Sequence, residues 1–344
     1  MKNDTITIDI VKKLFSDNDS VDLSEYLFLD DDAAEELAKY DGTLYLDSLT
    51  ILSDKAAHAL AKHNEWLFLD GITNLSDFAI EGLTKHKDNL FLRGLTSLSE
   101  RGAESIVKRD GEIDFPNLTY LSDKSIQILA KNKGCLNLNG LTTISDSAAE
   151  ALSKRDKEDG LSLDGLTSLS EKVASLLATQ MEEVNLPVLN ELSEKAAEAL
   201  SKNKISLNLD GLSNLSEKVA NILAKNEGSL SFNGLINISD SVAEALSKHK
   251  GNLSLNAITN LSEKAAKSLS KHEKDEYYEN NLFLNGIVEF DEKIADSLSC
   301  FNGRLHLKGL KTISKNAAAA LAKHENHLFL ENLEKISNEV FKTI

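Results

Sequence analysis

Proline is nearly absent from this chain: 344 residues carry two, Pro116 and Pro187. That excludes proline-rich low-complexity linkers. Cysteine is as scarce, with only Cys135 and Cys300. They lie about seven repeat lengths apart, too far to bridge in a rigid array, so a disulfide-stapled fold is not expected. No apolar run of about 18 residues exists, so no membrane-spanning helix is expected. The opening MKNDTITIDIVKKLFSDND lacks the apolar stretch of a secretion signal. The expected location is therefore cytoplasmic, with a secreted or surface location as the alternative. Positive charge is in deficit: the net charge is −17. Such a surface repels phosphate backbones and anionic lipid, so nucleic acid and membrane are not expected partners. It attracts a basic protein, and it also simply favours solubility.

Catalytic signatures are missing as well. No cysteine-pair spacing suits zinc, and each glycine is isolated rather than part of a phosphate-cradling loop. No cofactor, metal or enzymatic activity is expected.

What is present is one unit repeated. The string LNLNGLTTISDSAAEALSKRD starts at Leu136, with close copies at Leu44, Leu67, Leu90, Leu161, Leu207, Leu230 and Leu305. Weaker copies start at Val21, Ile113, Val184, Leu253, Leu282 and Leu328, making fourteen, and eleven of the thirteen intervals are 23 residues. The longer intervals carry insertions near Arg155–Gly160 and Glu273–Asn281. Counting from the first Leu, apolar residues fall at positions 1, 3, 6 and 9. The alternation L-x-L predicts a short strand. Gly at position 5 predicts a turn. Ser at position 10, as in Ser53, Ser76 and Ser99, predicts a helix N-cap, and the acid after it suits the positive end of the helix dipole. Positions 13, 14 and 17 share one helical face. Each copy thus reads strand, turn, helix. It cannot bury its apolar face alone, whereas stacked copies can. Residues 6–15 match positions 9–18, with Thr7 as the cap. Residues 1–20 therefore read as a capping half repeat, and residues 21–344 as fourteen repeats, the last acting as the C-terminal cap.

This pattern resembles the leucine-rich-repeat family over essentially the whole chain. The core L-x-L-[DN]-G-L-T-x-[LI]-S-[DE]-x-A-A and the 23-residue length resemble the bacterial, treponemal-type subclass, in which Pro often follows the strand, as Pro116 and Pro187 do here. The AF-x-x-C element of that subclass is replaced by Ala-Ala and Leu. The resemblance implies an α/β solenoid, a leucine-rich-repeat arc with a parallel concave β-sheet and convex short helices, used for protein–protein interaction. It carries over no catalytic residue.

In such a sheet, position 2 of every copy faces away from the core. That column runs Asp22, Tyr45, Phe68, Phe91, Asp114, Asn137, Ser162, Asn185, Asn208, Ser231, Ser254, Phe283, His306, Phe329. Tyr45, Phe68 and Phe91, with Trp66 beside them, are one candidate hot spot, and Phe283, His306 and Phe329 are a second. The competing readings are that aromatics simply favour strands, or that they pack against a cap or a second copy of the chain. Tyr277 and Tyr278 in the larger insertion are further candidate contacts, or part of a tolerated loop. Asp and Asn at position 4 (Asp47, Asp70, Asn139, Asp164, Asp210, Asn233) are expected to bond backbone groups, with calcium binding as the weaker reading. His63, His86, His249, His272 and His324 near helix ends suggest capping or solvated residues, or a weak metal site. The functional expectation is a non-catalytic scaffold holding a protein partner, in its sharper form an acidic inhibitor or immunity-type protein. An adhesin or a self-assembling repeat protein are the alternatives.

Overall fold

The computed structural model describes residues 4–16, 23–109, 111–202, 204–272 and 280–333. Its contacts divide the chain into two units, Met1–Leu163 and Asp164–Ile344.

In the first unit, β1 (Thr5–Ile6) leads into a helix at Ile8–Ser16 and pairs in parallel with β2 (Phe28–Leu29). The helix starts directly after Thr7, whose carbonyl accepts from the Val11 N–H at 3.1 Å. The short β1 is unexpected from sequence. It belongs to a second hydrogen-bond ladder, on the stretch between turn and helix. There the Thr50 N–H donates to Leu27 O and the Thr96 N–H to Thr73 O, both at 3.0 Å. The strand positions of the first copy, Val21 and Asp22, lie outside the described residues; Leu23–Glu25 form a single 3-10 turn. The main strands follow one per copy: β3 (Leu44–Tyr45), β4 (Leu67–Phe68), β5 (Leu90–Phe91), β6 (Ile113–Asp114), β7 (Leu136–Asn137) and β8 (Leu161–Ser162). They form two parallel sheets, β3-β4-β5 and β6-β7-β8. In the second unit, β9 (Glu183–Asn185), β10 (Ser206–Asn208), β11 (Leu230–Ser231), β12 (Leu253–Ser254), β13 (Asn281–Phe283), β14 (Arg304–His306) and β15 (Leu328–Phe329) form one parallel sheet in chain order. A short helix follows every strand from β3 to β14, as at Asp54–Leu60 and Glu263–Leu269.

The core is the expected set of positions. Leu44, Leu46, Leu49, Ala56, Ala57 and Leu60 are buried in one copy, and Leu253, Leu255, Ile258, Ala265, Ala266 and Leu269 in another. Alanine pairs let adjacent helices approach closely. The position-10 serines cap their helices: Ser76 Oγ accepts from the Ala79 N–H at 3.0 Å and Ser262 Oγ from the Ala265 N–H at 2.9 Å. The hydroxyls of Ser53, Ser76, Ser99, Ser145 and Ser262 also donate to the position-11 Asp of the preceding copy. Ser145 reaches Asp123 at 2.7 Å, and Ser53 and Ser76 reach Asp31 and Asp54 in the same way. Cap and inter-repeat bond are thus one residue. Ser76→Ala should lower stability by about 1–2 kcal/mol in chemical denaturation. A change below about 0.3 kcal/mol would show that the double bond contributes nothing.

The position-5 glycines lie in the expected turn, closed by Ile72 N–H donating to Leu69 O at 3.2 Å and Leu235 N–H to Phe232 O at 3.1 Å. Gly71 and Gly234 do not adopt positive φ. A Cβ at Gly71 would overlap the Asp47 carbonyl oxygen, and one at Gly234 the Asp210 carbonyl oxygen. Close stacking of successive turns, not backbone freedom, selects glycine there.

Position 20, where the chain leaves the helix, also departs from expectation. His63, His86, His249 and His272 are buried, at 0–3% exposure, and His324 is half-buried. They are not solvated, because position 20 follows the core Leu of position 17 by three residues and so stays on its face. Arg109, Asn132 and Arg155 in this column are donors to the chain of the preceding copy. Arg155 donates to Asn132 O at 2.7 Å and Gly134 O at 2.6 Å, and Asn132 Nδ2 donates to Gly111 O at 2.9 Å. The histidine rings pair with one another: His63 and His86 lie parallel with centroids 6.2 Å apart, and His249 meets His272 edge-on at 5.7 Å.

Candidate functional site: the helix-free face of the sheet

Strands in a sheet lie about 4.8 Å apart, so like residues at one position of successive copies must touch. Register is fixed: Tyr45 lies opposite Phe68 and Phe68 opposite Phe91. Their rings stack accordingly, Tyr45 on Phe68 at 4.9 Å and Phe68 on Phe91 at 4.2 Å, within 15° of parallel. Trp66 leans against this ladder, 6.3 Å from Phe68 and 6.1 Å from Phe91. Tyr45 is 58% exposed and Trp66 45%. The four candidate residues of the first hot spot therefore form one continuous aromatic surface. Because the rings cover one another's faces, the ladder offers mainly ring edges to solvent.

The ladder ends at a charged pair. The Arg93 guanidinium lies 5.2 Å from the centre of the Phe91 ring, and its Nε donates to Asp114 Oδ2 at 2.5 Å. Asn137 Nδ2 donates to the other oxygen of Asp114 at 2.8 Å. Carboxylates accompany the ladder at position 4, Asp47 and Asp70. Desolvation raises the Asp70 carboxyl above the usual range, with Asp47 and Asp114 adding to the effect and the Arg93 backbone N–H and guanidinium opposing it.

The second set is also contiguous. Phe283 lies opposite His306 and His306 opposite Phe329. The His306 ring is sandwiched, 4.2 Å from each phenyl ring, and its Nε2 meets Asn281 Oδ1 at 3.1 Å. Burial lowers its pKa, and nearby Lys308 and Arg304 lower it further. Lys308 also lies over Phe329 at 6.0 Å and pairs with Glu331 at 2.6 Å. Tyr277 and Tyr278 lie outside the described residues.

The position-4 side chains form the structural ladder expected of them. Asp70 Oδ1 accepts from the Arg93 N–H at 2.8 Å, Asp210 Oδ1 from the Asn233 N–H at 2.8 Å, and Asn233 Oδ1 from the Asn256 N–H at 2.9 Å. Among the described residues, no group of three or more His, Cys, Asp or Glu is placed to hold a metal.

The sequence reading missed an interruption in this ladder. At position 4, Arg93 cannot accept a hydrogen bond and Pro116 in the next copy cannot donate one. The sheet breaks at the same place, between β5 and β6. The second proline, Pro187, stands at position 4 of the copy whose strand β9 opens the seven-stranded sheet. In the copy after each proline, the position-4 N–H turns to its own position-2 asparagine. Asn139 N–H donates to Asn137 Oδ1 at 3.0 Å and Asp210 N–H to Asn208 Oδ1 at 3.1 Å.

These features define, in each unit, an α/β array of strand–turn–helix repeats with a patterned sheet face. No protein-family model matches the chain. No curated protein matches it. Among solved structures it is similar to an internalin from Listeria monocytogenes, with 16% identity over 86% of this chain and 78% of the other, and a TM-score of 0.32. No helix among the described residues is long and apolar enough to cross a membrane.

Proposed function

We propose that this chain is a non-catalytic scaffold that holds a basic protein partner on the helix-free face of its sheet. The stacked ladder of Tyr45, Phe68 and Phe91 with Trp66 is the anchor, and it is the observation that carries the reading: exposed, pre-stacked aromatics contribute binding area at little entropic cost. Phe283, His306 and Phe329 are a second contact, and Tyr277 and Tyr278 a third. The net charge of −17 favours a cationic partner and speeds its encounter. An inhibitor or immunity-type role fits this chemistry. In this reading residues 1–20 cap the array, residues 21–344 are fourteen repeats of treponemal-like type, and the exposed free thiols of Cys135 and Cys300 suit a reducing cytoplasm.

The test is quantitative capture from native lysate on the immobilised chain and on the double variant Phe68→Ala/Phe91→Ala. Truncating two central anchors should cost about 2 kcal/mol or more, roughly thirtyfold in affinity. The fold should survive, since these rings are not in the core. Partner recovery equal on both chains would refute the anchor.

A further inference from the structure

The break between β5 and β6 does more than interrupt a ladder. Elsewhere in this unit, positions 1 and 3 of each strand donate to the next: Leu44 N–H to Trp66 O and Leu46 N–H to Phe68 O, both at 2.9 Å. The equivalent bonds from Leu90 and Leu92 to Glu112 and Asp114 are not formed, and β5 and β6 lie in different sheets. Leu90 is half-buried where Leu44, Leu67 and Leu136 are fully buried. A cavity of about 160 Å³ opens there, between Leu90–Arg93 on one side and Glu112–Phe115 on the other, with Arg109 behind.

The two copies stay joined just past the C-terminal ends of β5 and β6. Thr119 N–H donates to Thr96 O at 3.4 Å, Ser97 and Tyr120 form a β-bridge, and Asn117 Nδ2 donates to Arg93 O at 2.9 Å. An inserted strand would need a further spacing of roughly 4.8 Å, which these bonds deny. A single side chain fits.

We infer that this seam is a pocket for an arginine side chain of the protein partner, resting on the reading that this face holds that partner. One wall offers the carbonyls of Glu112 and Asp114, left free of the strand bond that would otherwise occupy them. A guanidinium has five donors in a fixed fork and no acceptor, which matches that wall. Its stem would lie against Leu90, Leu92 and Ile113. Two acids, Glu112 and Asp114, and two arginines, Arg93 and Arg109, share the lining. The lining already holds one guanidinium, by a ring face and a carboxylate rather than by carbonyls: Arg93 lies over Phe91 and against Asp114. Lysine, a compact point charge, would gain from the acids but not from the fork geometry.

The probes are hexa-arginine and hexa-lysine peptides, titrated into the full chain at about 150 mM salt, where long-range attraction is screened, and read by amide NMR shifts. Arginine should bind about tenfold more tightly than lysine, shifting 90–93 and 112–115. The variant Arg93→Asn/Pro116→Asp supplies an acceptor and a donor and so closes the seam. Its face is more acidic, so charge alone predicts tighter binding of both peptides; the pocket instead predicts that the arginine preference falls to within about twofold. Equal affinities in the native chain, or a preference intact in the closed variant, would overturn the pocket. Partner capture lost in Phe68→Ala/Phe91→Ala but intact in the closed variant would overturn it too, while leaving the aromatic anchor standing. The reverse pattern would support the pocket and remove the anchor.

Discussion

Acidification should unfold the second unit well before carboxylate protonation alone would require it. Burial lowers the pKa of His249 from its ordinary value to about 4, opposed by the surrounding backbone at Asn226, Ala224, Asn252 and Gly228. Burial lowers His272 to about 3, with His249 adding to the shift and the Asn280 side chain opposing it. Both rings are neutral in the folded chain at pH 7. In the unfolded chain they take up protons near their ordinary value of 6.5. Below that pH the unfolded state binds more protons than the folded one, so stability is full above about 6.5 and falls as the pH drops towards the folded values. At pH 4.5 the loss is about 2.5 kcal/mol per histidine. Phe301 holds the same position in the following copy and is itself buried, so the site accepts a phenyl ring. The variant His249→Phe/His272→Phe should therefore lose several kcal/mol less than the native chain between pH 7 and pH 4.5, in urea titrations at each pH. Parallel losses in the two proteins would show that these rings do not govern acid sensitivity.

Arg155 should be the most costly single truncation on the helix-to-strand turns. Its guanidinium is buried and donates to four carbonyls: Asn132 O at 2.7 Å, Gly134 O at 2.6 Å, Asp159 O at 3.3 Å and Gly160 O at 3.2 Å. It thereby ties the shorter insertion, with its 3-10 turn at Lys157–Asp159, to the preceding copy. Arg155→Ala strands those acceptors and leaves a cavity, for a loss of about 3 kcal/mol or more. Arg155→Met, which restores volume without donors, should recover only a minor part. If methionine restored most of the stability, packing rather than hydrogen bonding would be the role of this residue.

The fold was legible because the repeat length is nearly constant and each copy carries its own strand signal, cap and core. The same constancy makes the column of Tyr45, Phe68 and Phe91 readable as a stack, since one strand per copy at sheet spacing sets those rings against one another. The buried histidines were not legible as such. A Lys-His pair after a helix reads as a polar terminus, and burial follows only from the three-residue step from Leu60 to His63 or Leu246 to His249. The occupants Arg109, Asn132 and Arg155 were the available signal, since all are donors that reach carbonyls of the preceding copy. The seam was written at Arg93 and Pro116, which break the acceptor and donor pattern of position 4. Sequence alone does not single it out, because a Pro after the strand is equally a trait of the repeat class that the chain resembles.

The claim that the sheet face is the working surface is tested most directly by hydrogen–deuterium exchange of the chain with its captured partner bound. The account predicts slowed exchange in peptides covering 43–47, 66–70 and 89–93, and unchanged exchange along the helices at Asp54–Leu60 and Asp77–Leu83. Slowed exchange confined to those helices, with the three strand segments unaffected, would contradict it.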